Sequence, residues 1–156
     1  MREGLRQLRA SQSSLAAVFG NRELARLVLA WGGMTFAMWA YAIALSVYAF
    51  GQGGATAVGI AALVRLLPGA LASPFGGLLG DRHSRRLVLI LSAVFAGVAI
   101  ALSAAAVIAD APAWVVYAFA GAFTVASTPY VPAEGALLPQ AARSPQELSA
   151  ANVAHS

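Results

Sequence analysis

The chain contains 156 residues, of which 60% are hydrophobic and only 10% are charged. Soluble domains have about a quarter of their residues charged, so this composition excludes an ordinary soluble fold. The net charge of +4 comes from ten arginines against six acidic residues. All the arginines except Arg65 flank the apolar stretches, and they do not form one basic face, which argues against nucleic acid as a partner.

The N-terminal segment, residues 1–26, is polar and carries five arginines ahead of the first apolar stretch. Basic residues are retained on the cytoplasmic side of a membrane, so we expect this segment in the cytoplasm. The apolar stretch that follows is too long for the core of a cleavable signal peptide, so we expect it to remain as an anchor.

Four apolar segments are long enough to cross a lipid bilayer. A helix rises about 1.5 Å per residue and the hydrocarbon core is about 30 Å thick, so about 20 residues span it. We predict an all-α integral membrane protein in which four antiparallel transmembrane helices cover residues 27–50, 57–79, 87–108 and 114–131. Turn residues or charges separate these spans, at Gly51-Gln52-Gly53-Gly54, Asp81 to Arg86 and Asp110-Ala111-Pro112.

The charge of the connecting loops predicts the orientation. Residues 1–26 and the loop from Asp81 to Arg86 hold eight arginines, whereas the loops at residues 51–56 and 109–113 hold none. We therefore predict a multi-pass protein of the plasma (inner) membrane, with both termini in the cytoplasm and the lipid bilayer as its surroundings.

Residues 133–156 change character. Prolines and charges at Pro139, Arg143, Pro145 and Glu147 indicate a polar cytoplasmic connection. The small, weakly apolar run from Ser149 to Ala154 is typical of a helix that begins there. We expect this run to be the start of a fifth helix, and the chain to be a fragment of a longer protein.

The densest motif closes the second span and opens the third, from Gly76 to Arg86. It resembles the signature of the major facilitator superfamily of transporters between helices 2 and 3: Gly, any residue, Leu, small, Asp, Arg, any residue, Gly, Arg, Arg or Lys. Ser84 stands where that family usually has glycine. The matching residues are Gly77, Leu79, Gly80, Asp81, Arg82, Arg85 and Arg86.

Softer similarity to one bacterial branch of that family extends over nearly the whole chain. It includes Asn21-Arg22, Arg65 with Pro68 and Pro74, and Ala151-Asn152. The resemblance implies helices 1 to 4 and the start of helix 5 of a six-helix half. It also implies alternating-access transport of a small-molecule substrate, with export of a drug-like compound as the expected use, and the remaining helices of the full-length chain as partners.

The motif also has a physical interpretation. Gly69, Ser73 and Gly77 recur every four residues, which lets another helix approach closely, and Asp81 continues the series at the membrane edge. A carboxylate there can accept hydrogen bonds from a helix N-terminus, or pair with Arg85 if the helix continues through the loop. We interpret the loop as a latch between conformations; the alternative is a topology signal alone.

Arg65 lies inside the second span, about 12 Å from its start. An arginine at such depth costs about 2.5 to 3.5 kcal/mol on insertion scales and usually faces a bundle interior or a water-filled cavity. We consider three roles: lining a substrate pathway, pairing with another helix, or snorkelling outward. Trp39 and Tyr41 are further candidates for the pathway, with ordinary packing as their alternative.

No catalytic constellation is present, because His83 and His155 are isolated in polar segments. We therefore expect no enzymatic activity, no cofactor and no metal site. Two alternatives stay open. A self-contained four-helix protein, such as a small multidrug transporter, would need an acidic residue inside the membrane, and a membrane enzyme acting on lipid headgroups through the basic loop would need clustered Asp or His residues.

Overall fold

The computed structural model describes residues 20–82 and 84–154, except for the side chains at 75–82, 146 and 153–154. It is all-helical, and no strand occurs among the described residues. The helices are α1 (Arg22–Arg82), α2 (Arg85–Ile108), α3 (Ala113–Ser127), α4 (Tyr130–Ala141) and α5 (Pro145–Ala154). The predicted all-α class is confirmed.

Three helical stretches are long and apolar enough to cross a membrane: Arg22–Pro74, Arg85–Ile108 and Ala113–Ala141. The first contains 53 residues and would measure about 80 Å if it were straight. That length is more than twice the roughly 30 Å that a hydrocarbon core requires. By length and composition, the chain has the helices of a membrane protein.

A break at Gly53 and Gly54 divides α1 into a first arm, residues 22–52, and a second arm, residues 55–82. Gly54 has a φ of 62° and a ψ of −150°, a conformation that glycine adopts because it has no Cβ. Ala42 and Ser46 of the first arm line the same cavity as Ala61 of the second. The two arms therefore fold back on each other at the predicted turn.

Helices α2 and α3 pack against each other. The buried face of α2 repeats at intervals of three and four residues, as one side of a helix does: Val88, Ser92, Ala96, Ala99, Ser103 and Ala106. Large apolar side chains such as Phe95 and Val98 remain exposed on the same helix. Small residues inside and large apolar residues outside are the arrangement that a membrane solvent favours.

The structure differs from the sequence-based prediction around Pro129. The fourth predicted span covers residues 114–131, whereas α3 ends at Ser127 and α4 runs from Tyr130 to Ala141. Proline has no N–H to donate into the helix, and the Val125 carbonyl accepts instead from the Thr128 N–H at 3.3 Å. The predicted polar connection is therefore helical over much of its length.

The described residues fall into two compact units. The central unit covers residues 36–133, and the terminal unit combines residues 20–35 with residues 134–154. In the terminal unit, Leu24 is fully buried with Leu138, Ala150 and Ala151, and Val28 packs against this cluster. The first turns of α1 are thereby held against α4 and α5.

Helix α5 begins four residues before the predicted run, at Pro145. Ser144 caps it, because its Oγ accepts a hydrogen bond from the Glu147 backbone N–H at 3.2 Å. A serine followed three residues later by glutamate is the capping-box pattern, and proline suits the first helical position because its missing N–H is not needed there.

Asn21 links the start of α1 to the connection before α5. This side chain is 1% exposed, and its Oδ1 accepts hydrogen bonds from the Glu23 and Leu24 backbone N–H groups at 3.2 and 3.4 Å. Its Nδ2 donates to the Ala141 carbonyl at 2.8 Å and to Oε2 of Glu147 at 2.9 Å. One amide thus caps α1 and joins two segments that are about 120 residues apart in the chain.

Glu147 Oε2 also accepts a hydrogen bond from the Arg143 backbone N–H at 2.8 Å. This bond, followed by the one from the Asn21 amide, holds the pKa of Glu147 below its ordinary value of 4.5. A lowered pKa means that the ionised carboxylate stabilises the fold above pH 4.5, and that this contribution is lost as the pH falls through the lowered value. The link is therefore fully formed at neutral pH.

We expect Asn21→Ala to destabilise the terminal unit by about 1 to 2 kcal/mol, because it removes a helix cap and leaves buried groups without their partner. Amide exchange at Glu23 and Leu24, followed by mass spectrometry, should accelerate. Asn152→Ala is the matched control, because Asn152 is an exposed residue within α5. Equal exchange in the two variants would contradict the linking role of Asn21.

Candidate functional site

Arg65 lies in the second arm, about 16 Å along the helix from the turn at Gly54. It is half-buried and shares a helix face with Ala61 and Gly69, which are both buried. The opposite face carries Leu63 and other large side chains that are more than half exposed. Arg65 therefore lies on the face of the second arm that packs against neighbouring helices.

A cavity of about 140 Å³ separates the two arms at this level, and we call it the arginine cavity. Arg65 is the only charged residue among the described residues that line it. The other walls are small or apolar, and they are Ala42, Leu45, Ser46, Ala61, Ala62 and Leu66. The Ser46 hydroxyl donates to the Ala42 carbonyl at 2.8 Å, so its proton is already engaged within its own helix.

The positive charge of Arg65 has no acidic residue near it along the chain. The sequence contains none between Glu23 and Asp81, none between Asp81 and Asp110, and none between Asp110 and Glu134. Asp81 lies about 24 Å farther along the same arm, which is far beyond ion-pair distance. The described residues that line the arginine cavity therefore include one cation and no carboxylate.

Tyr41 connects the first arm to both α2 and α3. It is 9% exposed, and its hydroxyl donates to Ser103 Oγ at 2.8 Å. Its ring meets Phe123 edge-on, with the centroids 5.0 Å apart. Tyr41 also lies within electrostatic range of Arg65, so the structure brings these two predicted pathway residues into one region.

Trp39, the third predicted pathway residue, is 68% exposed. Two residues correspond to about 200° of rotation around a helix, so Trp39 and Tyr41 point to different sides of the first arm. Trp39 is also not among the described residues that line the arginine cavity.

A second, larger cavity of about 580 Å³ lies between the first arm and α2. Tyr41 and Tyr48 line one side, and Ile100 and Val107 line the other. Its volume is in the range of pockets that hold small molecules, about 300 to 1,000 Å³. Leu45 lines both this apolar cavity and the arginine cavity, so the two are separated by one side chain.

Sequence reasoning missed Ser103, which orients Tyr41. The only available signal was its place in the three-and-four repeat of small residues on α2, which indicates a packed face but no partner. It also missed Tyr117, whose buried hydroxyl has no hydrogen-bond partner among the described residues. Tyr117 stacks edge-on with Tyr48, with centroids 6.4 Å apart.

The loop motif lies where α1 ends and α2 begins. Gly77, Leu79, Gly80, Asp81 and Arg82 form the last turns of α1, and their side chains are outside the described residues. Ser84 is extended, with a φ of −61° and a ψ of 126°, so Asp81 and Arg85 do not belong to one continuous helix. Arg85 and Arg86 are exposed on the first turn of α2.

No group of three His, Asp or Glu side chains that could hold a metal ion occurs among the described residues. His83 and His155 lie outside them. No protein-family model matches the sequence, and neither a curated protein nor a solved structure matches the chain. The function is therefore inferred from the residues of the chain itself.

Two glycines bring the second arm close to α3. A Cβ atom at Gly69 would overlap Cγ2 of Thr124, and one at Gly121 would lie 3.2 Å from the Val64 carbonyl oxygen. These contacts place the backbone on either side of Arg65 against α3. The small-residue interpretation of Gly69 therefore has a structural counterpart.

We expect Gly69→Val to lower the apparent melting temperature of the purified protein in detergent by several degrees, because the added side chain pushes Thr124 or the helix away. Gly59→Val is the matched control: it places the same residue in the same arm, where a Cβ atom meets nothing within 4 Å. Equal melting temperatures for the two variants would contradict the close approach at Gly69.

Proposed function

We propose that the chain is the N-terminal part of a major facilitator transporter that exports a small molecule across the plasma membrane by alternating access. This proposal rests on the motif from Gly77 to Arg86, whose residues follow the order of the family signature between the second and third predicted spans. The helix break between Arg82 and Arg85 supports it, because the charged residues then lie at the end of one helix and the start of the next.

The packing of the central unit is consistent with this proposal. The arms of α1 fold back on each other, and α2 packs against α3, as four antiparallel spans would require. In the major facilitator fold, three-helix inverted repeats nest within each six-helix half, and substrate binds near the midplane between the halves. Arg65 and Tyr41 are the residues that we assign to the pathway.

The loop acts in this proposal as a latch. Asp81 lies in the last turn of α1, and in this proposal its carboxylate meets the N-terminus of a helix of the other half, whose dipole favours a nearby anion. Rocking of the two halves makes and breaks this contact, so the carboxylate stabilises one conformation over the other. Trp39 and the exposed apolar side chains next to it face lipid or the remaining helices.

The proposed orientation places both termini in the cytoplasm, because the arginines lie on that side. Reporter fusions after Gly53 and Pro112 should show periplasmic activity, and a fusion after Ser84 should show cytoplasmic activity. A reversed pattern would contradict the orientation, and one reporter location shared by Gly53 and Ser84 would contradict a membrane crossing by the second arm.

Transport should depend on the charge of Asp81. We expect Asp81→Asn to reduce dye efflux by the full-length protein about tenfold or more, because a hydrogen bond to a charged group contributes about 1.5 to 3 kcal/mol. Efflux of a panel of amphipathic dyes from cells that lack their major exporters measures this, with membrane expression matched by immunoblot.

Asp110→Asn is the control for that experiment. Asp110 is exposed in the turn before α3 with a φ of 50°, which asparagine also tolerates. Unchanged efflux by Asp81→Asn would reduce the loop to a topology signal.

Saturable transport by residues 1–156 alone in liposomes would favour the self-contained four-helix protein.

A further inference from the structure

We propose that the arginine cavity binds a monovalent organic anion through a carboxylate that pairs with Arg65. This inference deepens the proposed transport function and rests on it for the role of the anion as substrate. The observations that carry it are the cavity between the arms, its single cation and the absence of any acidic residue between Glu23 and Asp81, the part of the chain that supplies its walls.

The energetics of a half-buried guanidinium inside an apolar segment favour an anion as the occupant. An unpaired arginine at this depth is costly, and polar groups that proteins retain inside the membrane usually mark substrate or ion pathways. The guanidinium presents five N–H donors in a planar fork that matches both oxygens of a carboxylate. A bound carboxylate therefore supplies the counter-charge that the described walls of the arginine cavity lack.

The size and walls of the cavity limit the ligand. A volume of about 140 Å³ corresponds to roughly five water-sized groups, at about 30 Å³ each. That space holds a carboxylate with a short alkyl chain. The alkyl chain of the ligand would contact the apolar side chains of Ala42, Ala61 and Leu66.

The single positive charge of the arginine cavity determines which ions it binds. A single guanidinium balances one negative charge, and the Ser46 proton is committed to the Ala42 carbonyl, so no second donor is ready for a dianion such as phosphate. Cations of the same size are repelled by Arg65. The expected preference is therefore monocarboxylate over phosphate, neutral amide and alkylammonium.

The test is equilibrium dialysis of radiolabelled butyrate against the purified chain in nanodiscs of zwitterionic phosphatidylcholine. We expect saturable binding at one site, displaced by unlabelled butyrate but not by butyramide or butylammonium. Arg65→Gln should weaken binding about tenfold or more, because a charge-assisted hydrogen bond is lost. Arg65→Lys should bind at an intermediate level, since it keeps the charge but loses the planar fork.

Arg26→Gln is the matched control, because Arg26 is an exposed arginine of the same helix outside the cavity. Far-UV circular dichroism and gel filtration establish that each variant is folded. Butyrate affinity that is unchanged in Arg65→Gln, no saturable butyrate binding by the wild-type chain, or stronger binding of inorganic phosphate would overturn the inference.

The two proposals fail separately. Butyrate binding that depends on Arg65, in a protein that shows no transport when full-length, would leave the anion site intact and remove the transport function. Transport that depends on Asp81, without butyrate binding that depends on Arg65, would support the transport function and remove the anion site.

Discussion

The central unit depends on the close approach of the second arm of α1 to α3. Gly69 and Gly121 have no side chain at the places where the two helices meet, and a methyl group at either position would crowd Thr124 or the Val64 carbonyl. Apolar side chains gain little by leaving lipid, so such helices associate through close packing and interhelical hydrogen bonds. The polar residues of the unit therefore depend on this packing for their positions.

Close packing and an interhelical hydrogen bond both occur at Tyr41. Its hydroxyl bonds to Ser103, and its ring lies against Phe123, so one side chain joins three helical segments. The same packing leaves two cavities of different chemistry, one apolar and one with Arg65 on its wall, that share Leu45. A bundle whose interior faces are built from small residues leaves space for cavities where larger side chains would fill it.

The terminal unit is held together by a different kind of contact. Asn21 uses its amide oxygen to cap α1 and its amide nitrogen to bond Ala141 and Glu147, next to an apolar cluster around Leu24. The start of α1, capped by Asn21, meets the start of α5, which has a capping box at Ser144. At both helix starts, a backbone N–H group therefore has a side-chain partner.

The sequence by itself determined the helical class, the membrane-length segments and the turn at Gly53-Gly54, because hydropathy, charge and glycine act locally along the chain. It also singled out Arg65, Trp39 and Tyr41 as pathway candidates, since a charge at depth and aromatic residues near the middle of a span stand out in an apolar segment. Only the tertiary structure decided that Tyr41 bonds Ser103, that Trp39 is exposed, that Asn21 reaches Glu147, and that a cavity remains beside Arg65. These features depend on which helix faces meet, and residues about 60 to 126 positions apart carry no local pattern that predicts their pairing.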